Sequence, residues 1–178
     1  MEFLEKDLEG IIYEAYKKDA SSLRGKGLNI SGTIKRQLRI GNYGVADLVT
    51  FEKTKHIEYA PERTVYDYEE ETVLYEELNW HKAIITVYEL KKDKIGISAY
   101  LQAMKYVSGI KHYFNEKGTG FQLEFKIVLI GKDIDTSGSF CFIPDFDKNV
   151  EFYTYKYGLY GLEFNNEFGY QIDSNFKL

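Results

Sequence analysis

The chain predicts an α/β fold with a mixed sheet, and three observations predict it. An amphipathic helical pattern opens the sequence, strand-like alternation begins at residue 28, and a strongly helical segment lies between two apolar, β-branched runs. The resulting order is a helix, three strands, a helix and a strand, followed by an aromatic tail.

Phe3, Leu4, Leu8, Ile11, Ile12 and Ala15 recur at helical spacing, and "SSLRGKG" after them reads as a flexible exit. From Leu28 the pattern becomes "LNISGTIKRQLRI", then a turn at "GNYG", then "VADLVTFEK". Gly-Asn-Tyr-Gly tolerates positive φ, so a hairpin is expected there. Residues 54–80 are acidic and rich in tyrosine, and their partial alternation (Val65, Tyr66, Tyr68; Val73, Tyr75) suggests an extra hairpin.

"KAIITVYEL" reads as a strand. "ISAYLQAMKYVSGIKHYF" reads as a helix with Ser98 at its N-cap and Ile97, Leu101, Met104, Val107 and Ile110 on its apolar side. "FQLEFKIVLIG" reads as a second buried strand. The segment from Asp133 holds 12 Phe and Tyr among its 46 residues, with strands expected at "SFCFI" and "VEFYTYKYG".

The 178 residues suit one domain with one core. No apolar run reaches the roughly 18 residues that cross a bilayer, and the acidic start lacks the features of a secretion signal. Cys141 is the only cysteine, which excludes an intrachain disulfide or a cysteine zinc site. A cytoplasmic, intracellular location without membrane contact is the expectation. The net charge of −5 conceals a pattern: residues 51–80 carry 3 basic and 9 acidic side chains, whereas residues 81–132 carry 9 and 4. Local rather than total charge decides where a polyanion docks.

The basic segment also holds the most suggestive polar residues. In an extended chain Glu89 and Lys91 project together, while Tyr88 and Leu90 face away. Gln102 and Tyr106, four apart, share a helix face, as do Glu5 and Glu9 on the first helix. Asp47 stands among Val45, Ala46, Leu48 and Val49, where a carboxylate costs several kcal/mol unless it is compensated. Two carboxylates from neighbouring strands plus a backbone carbonyl make a hard-oxygen site for Mg²⁺ or Mn²⁺. A lysine beside it can orient water and offset negative charge at phosphorus. Taken singly, Glu-x-Lys is an ordinary cross-strand ion pair and Glu5 and Glu9 an ordinary solvated helix face. Their joint order is more informative.

That order resembles the PD-(D/E)XK nuclease superfamily. "GVAD" (Gly44–Asp47), "ELK" (Glu89–Lys91) and "QAMKY" (Gln102–Tyr106) are similar to its motifs, the last to the Gln-x-x-x-Tyr helix of RecB-type members; "LEKDLE" is similar to its glutamate helix. The resemblance implies a restriction-endonuclease-like α-β-β-β-α-β core over about 2–130, an insertion at about 54–80 and an aromatic, β-rich C-terminal extension over about 133–178, in a single domain. It implies Asp47, Glu89 and the Leu90 carbonyl as ligands of Mg²⁺, with Mn²⁺ able to substitute. Lys91 is then the catalytic lysine, and Gln102 and Glu5 support the site, Glu5 being preferred to Glu9. Lys92, Lys94, Lys105 and Tyr106 would contact the DNA substrate. Ala46 stands where the superfamily name has proline.

The function expected is a metal-dependent deoxyribonuclease. The alternative is a catalytically silent module on the same scaffold that binds protein or nucleic acid, with a homodimer or protein partner meeting residues 54–80 or the C-terminal extension. His56, His81 and His112 lack metal-ligand spacing, Trp80 reads as packing, and Cys141 reads as apolar strand core.

Overall fold

The computed structural model describes residues 4–67, 70–137 and 139–167. A six-stranded sheet forms the middle layer. β1 (Thr33–Ile40) and β2 (Gly44–Asp67) are antiparallel across a 3₁₀ turn at Gly41–Tyr43, where Gly41 and Gly44 take positive φ. β2 continues antiparallel into β3 (Glu70–Leu90). The chain then crosses through α3 (Ile97–Lys117) to β5 (Phe121–Gly131), which runs parallel to β3. β7 (Val150–Gly158) adds parallel to β5, and β8 (Gly161–Asn166) closes the edge antiparallel to β7. The sheet is therefore mixed, as the sequence predicts, and two short parallel strands, β4 (Lys94–Ile95) and β6 (Asp133–Ile134), pair beside it. α4 (Ile143–Phe146) precedes β7.

Apolar clusters cover the two faces. On one, Ala99, Ala103, Val107 and Ile110 of α3 pack on Ile85 and Val87 of β3 and on Ile127 and Leu129 of β5. On the other, Leu8 and Ile12 of α1 (Glu5–Lys18) and Leu23 of α2 (Ala20–Arg24) pack on Leu48, Tyr88, Leu90, Val128 and Ile130. Successive residues of β3 and β5 divide between the clusters with period two.

Several expectations are corrected. Part of "SSLRGKG" is helical: the Asp19 carboxylate accepts from Ser21 N at 2.9 Å to start α2, and Leu23 is buried. α3 begins after Gly96 without a side-chain cap, so Ser98 is not its N-cap. Val107 and Ile110 are buried as expected, but Ile97 and Leu101 are exposed, and Ala99, Ala103 and Tyr106 complete the buried stripe, the two alanines letting the helix approach the sheet. "SFCFI" is not a strand: Phe140–Phe142 form a 3₁₀ turn leading into α4, Cys141 is half-buried, and Phe140 stacks on Phe152 at 4.8 Å. "VEFYTYKYG" is β7, which lies inside the central sheet, so the core extends past residue 130.

Residues 54–80 form the suggested hairpin, as a continuation of β2 and β3 and not as two further strands. The two strands run past the ends of their neighbours and remain paired from Lys55–His81 out to Asp67–Glu70, as one two-stranded arm. Register puts Ile57, Tyr59 and Tyr75 on one face of it, all exposed. Phe3, Tyr68 and residues 168–178 of the aromatic tail lie outside the described residues, as do the side chains of Val65, Tyr66 and Val73. No helix among the described residues is long and apolar enough to cross a membrane.

Candidate functional site

Asp47 lies where two strands exchange faces. Ile34 packs with the α1-side cluster, yet Leu38 and Ile40 pack with the α3-side cluster; on β2, Ala46 belongs to the α3 side and Leu48 to the α1 side. Strict alternation would keep Ile34, Leu38 and Ile40 on one face. The exchange occurs between the pairs Arg36–Leu48 and Leu38–Ala46, where Gln37 and Asp47 drop out of the ladder. Gln37 takes φ +50, the one described non-glycine residue at positive φ, a conformation costing about 1–2 kcal/mol. This irregularity acts as a bulge does, redirecting a side chain at the sheet.

The redirection has two results. Arg36 and Gln37, adjacent in sequence, both reach Glu9: Arg36 Nε donates to its Oε1 and Gln37 Nε2 to its Oε2. Glu9 is 3% exposed, so a buried carboxylate has each oxygen met by a donor. Asp47 meanwhile accepts from Leu90 N at 3.0 Å through Oδ2. Leu90 lies beyond the last β2–β3 pair, Leu48–Tyr88, so a side chain meets its N–H in place of a strand carbonyl. Burial raises the Asp47 pKa against the Leu90 bond and Lys91, with the charges of Glu9 and Glu5 adding to the rise.

Glu89 follows Ile85 and Val87 at period two, which carries it towards the α3 side of the sheet. It is 1% exposed. Lys91 Nζ donates to its Oε1 at 2.7 Å, but Oε2 has no hydrogen-bond partner, the one such buried atom among the described side chains. Burial first, then the nearby Asp47 charge, push its pKa up to about 7 despite Lys91. Burial alone would lower the Lys91 ammonium, but the bond to Glu89 and the charges of Glu89, Glu5 and Asp47 outweigh it and hold the pKa above the ordinary lysine value.

The remaining predicted residues distribute as follows. Glu5 opens α1 and its Oε1 accepts from Lys92 N at 3.3 Å, tying the helix to the end of β3. Its charge acts on Asp47, Glu89 and Lys91, so it belongs to the same cluster. Gln102 Nε2 donates to Tyr106 OH at 2.8 Å. Tyr106 is buried, and Asp47 and Glu89 act on its hydroxyl by charge. Lys92 accepts from Tyr155 OH at 2.6 Å through its carbonyl. Lys94 pairs loosely with Asp133 at 3.8 Å on the small β4–β6 sheet. Lys105 is exposed on α3 with Nζ 5.7 Å from the Tyr106 ring. Of the histidines, His56 contacts Trp80, His81 contacts Phe121 and His112 pairs with Glu116.

Sequence reading passed over Arg36 and Gln37. The only trace of their role was Glu9 at the edge of the buried stripe of α1, a carboxylate that needed donors from elsewhere.

No group of three His, Cys, Asp or Glu side chains that could hold an ion is found among the described residues. The donor set here is smaller: Asp47 of β2, and Glu89 and the Leu90 carbonyl of β3. A pair of carboxylates both raised chiefly by burial, one of them raised further by the other's charge and keeping a buried oxygen without a donor, is a set that a divalent cation would satisfy. Comparison of the chain with protein-family models, with curated proteins and with solved structures finds no match.

Proposed function

We propose that this chain is a metal-dependent deoxyribonuclease of the PD-(D/E)XK type, hydrolysing DNA phosphodiester bonds on a restriction-endonuclease-like core. One observation carries the reading: Glu89, almost wholly buried and under the charge of Asp47, holds one oxygen on Lys91 and leaves the other without a hydrogen-bond partner. An apolar fold maintains an incompletely satisfied carboxylate at a cost of several kcal/mol, and such costs concentrate where they serve chemistry.

Asp47, Glu89 and the Leu90 carbonyl would hold Mg²⁺ or Mn²⁺. When bound, the ion supplies Lewis-acid polarisation of a phosphate oxygen and stabilises hydroxide near neutral pH. The chain's own groups do the rest. The Lys91 ammonium, kept charged by the surrounding carboxylates, offsets negative charge at phosphorus and orients the attacking water. The Leu90 N–H fixes the Asp47 rotamer, and Tyr106, on the buried side of α3, fixes the Gln102 amide. Glu5 ties α1 to the catalytic strand. Lys105, with Lys92 and Lys94, would contact the phosphate backbone.

In the test, purified protein is incubated with plasmid and oligonucleotide DNA in Mg²⁺ or in EDTA. Asp47→Ala and Lys91→Ala should each reduce metal-dependent cutting by more than a hundredfold while the variants still unfold cooperatively. Cutting by the variants at the parental rate would remove the catalytic assignment.

A second reading rests on the arm. A two-stranded ribbon is marginal in water by itself, and this one exposes Ile57, Tyr59 and Tyr75 on a single face. A module that binds a protein partner or a second copy through that face would use the arm and not Asp47. Mn²⁺ would then leave its melting temperature unchanged, whereas a working site is stabilised by an ion that binds only the folded state.

A further inference from the structure

A cavity of about 730 Å³ opens between the β1–β2 turn and the second half of α3. None of the residues assigned to the candidate site lines it. Its walls include Tyr43 from the turn and Ile110, Tyr113 and Phe114 from the helix, with Lys35 and Arg39 of β1 at its border. The volume falls within the range of small-molecule sites. Gly109 sets how deep the walls can meet, because a Cβ there would come within 2.6 Å of Ile40 and Tyr43 side chains.

We infer that this cavity holds an unstacked nucleobase of the strand being cut, with Lys35 and Arg39 binding adjacent phosphates. The inference rests on the nuclease reading and deepens it, naming single-stranded or frayed DNA as the substrate form. Charge points to the occupant. Lys35 and Arg39 are both exposed, and neither forms an ion pair among the described residues. The acidic residue of the lining, Glu116, lies 3.3 Å from His112. An apolar, aromatic interior with cations at its border matches a planar base joined to phosphate, since stacking on aromatic rings needs no particular base. Tyr113 is 55% exposed, meets Phe114 edge-on at 5.7 Å and has Lys117 Nζ 5.8 Å from its ring centre.

Continuity with the candidate site supports the same occupant. Tyr43 is followed by Gly44, whose Cβ position would lie 3.2 Å from Tyr106 Cε1 and 3.7 Å from Lys105 Nζ. Along α3, Ile110 stands eight residues beyond Gln102, about 12 Å at 1.5 Å per residue. A few nucleotides of one strand span that separation. A base inside a duplex cannot enter such a cavity without leaving its stack.

The experiment measures anisotropy of a fluorescein-labelled oligothymidylate, and of a blunt duplex, with the full chain in EDTA so that no cutting occurs. The parent should bind the single strand more tightly than the duplex. Tyr113→Ala should weaken single-strand binding about tenfold or more, and Tyr113→Phe should restore it. Lys35→Ala and Arg39→Ala should each reduce the salt slope by about one on a log–log plot. In Mg²⁺ the same variants should raise KM with kcat near parental, whereas Asp47→Ala should lose cutting but keep oligothymidylate affinity.

Unchanged single-strand affinity in Tyr113→Ala and Arg39→Ala would overturn the inference, as would equal weakening on both probes. If the parent cuts DNA in that case, the nuclease reading stands without this cavity. If the parent binds oligothymidylate through these residues yet never cuts, the cavity stands and the nuclease reading falls. A parent that does not bind the single strand overturns the inference directly.

Discussion

Replacing Glu89 by glutamine should make the metal-free protein more stable at pH 8 while abolishing its response to Mn²⁺. The Glu89 pKa is raised from 4.5 to about 7, chiefly by burial. A carboxyl whose folded pKa exceeds its unfolded value binds more protons when folded, so its contribution is complete below pH 4.5 and is lost as pH rises through 7. At 1.36 kcal/mol per unit the loss is about 3 kcal/mol. Glutamine keeps the shape and cannot ionise, its carbonyl can still accept from Lys91, and its amide occupies a position that already lacks a partner. Glu89→Gln should therefore gain up to about 3 kcal/mol over the parent at pH 8 in EDTA and little at pH 4.5. For a chain of this length that is a rise of roughly 6–12 °C in melting temperature. Adding Mn²⁺ should stabilise the parent and leave the variant unmoved. The assay is thermal unfolding by circular dichroism at the two pH values, with EDTA or Mn²⁺. A variant less stable than the parent at pH 8 in EDTA would refute the reasoning, because Glu89 would then be the structural half of an ion pair with Lys91.

Removing the guanidinium in Arg36→Ala leaves Glu9 buried with one donor, so urea denaturation should show a loss of about 3 kcal/mol. Gln37→Ala and Gln37→Gly both delete the amide that reaches Glu9, but only glycine adopts φ +50 without strain. The glycine variant should be the more stable of the two by about 1 kcal/mol, and equal stabilities would show that the left-handed backbone is not a cost.

Segments embedded in the sheet were legible in the sequence. The part of β3 that pairs with β5 alternates, as β5 does, between two apolar clusters, and β7 was bounded by its aromatic run. "SFCFI" misled because its apolar residues satisfy a strand pattern equally well when they fold into a 3₁₀ turn and a short helix beneath β7. Residues 54–80 were legible as a hairpin, but not as the outer part of β2 and β3. A long arm has no third strand to impose a burial pattern, so its alternation is weak although the two strands stay paired across a register shift between Pro61 and Arg63.

The sequence by itself determined the mixed α/β order and that Glu89 and Lys91 point the same way, because period two is a local property of an extended chain. It likewise determined that Gln102 and Tyr106 share a helix face. Which carboxylates are satisfied depends on how the strands and helices pack. Glu9 is closed off by Arg36 and Gln37, and Asp47 is turned by an exchange of strand faces that Ile34, Leu38 and Ile40, at even spacing, gave no reason to expect. Glu89 retains an oxygen without a donor. Burial and hydrogen bonding depend on neighbours distant in the chain, and pattern along one strand carries no record of what the next strand supplies.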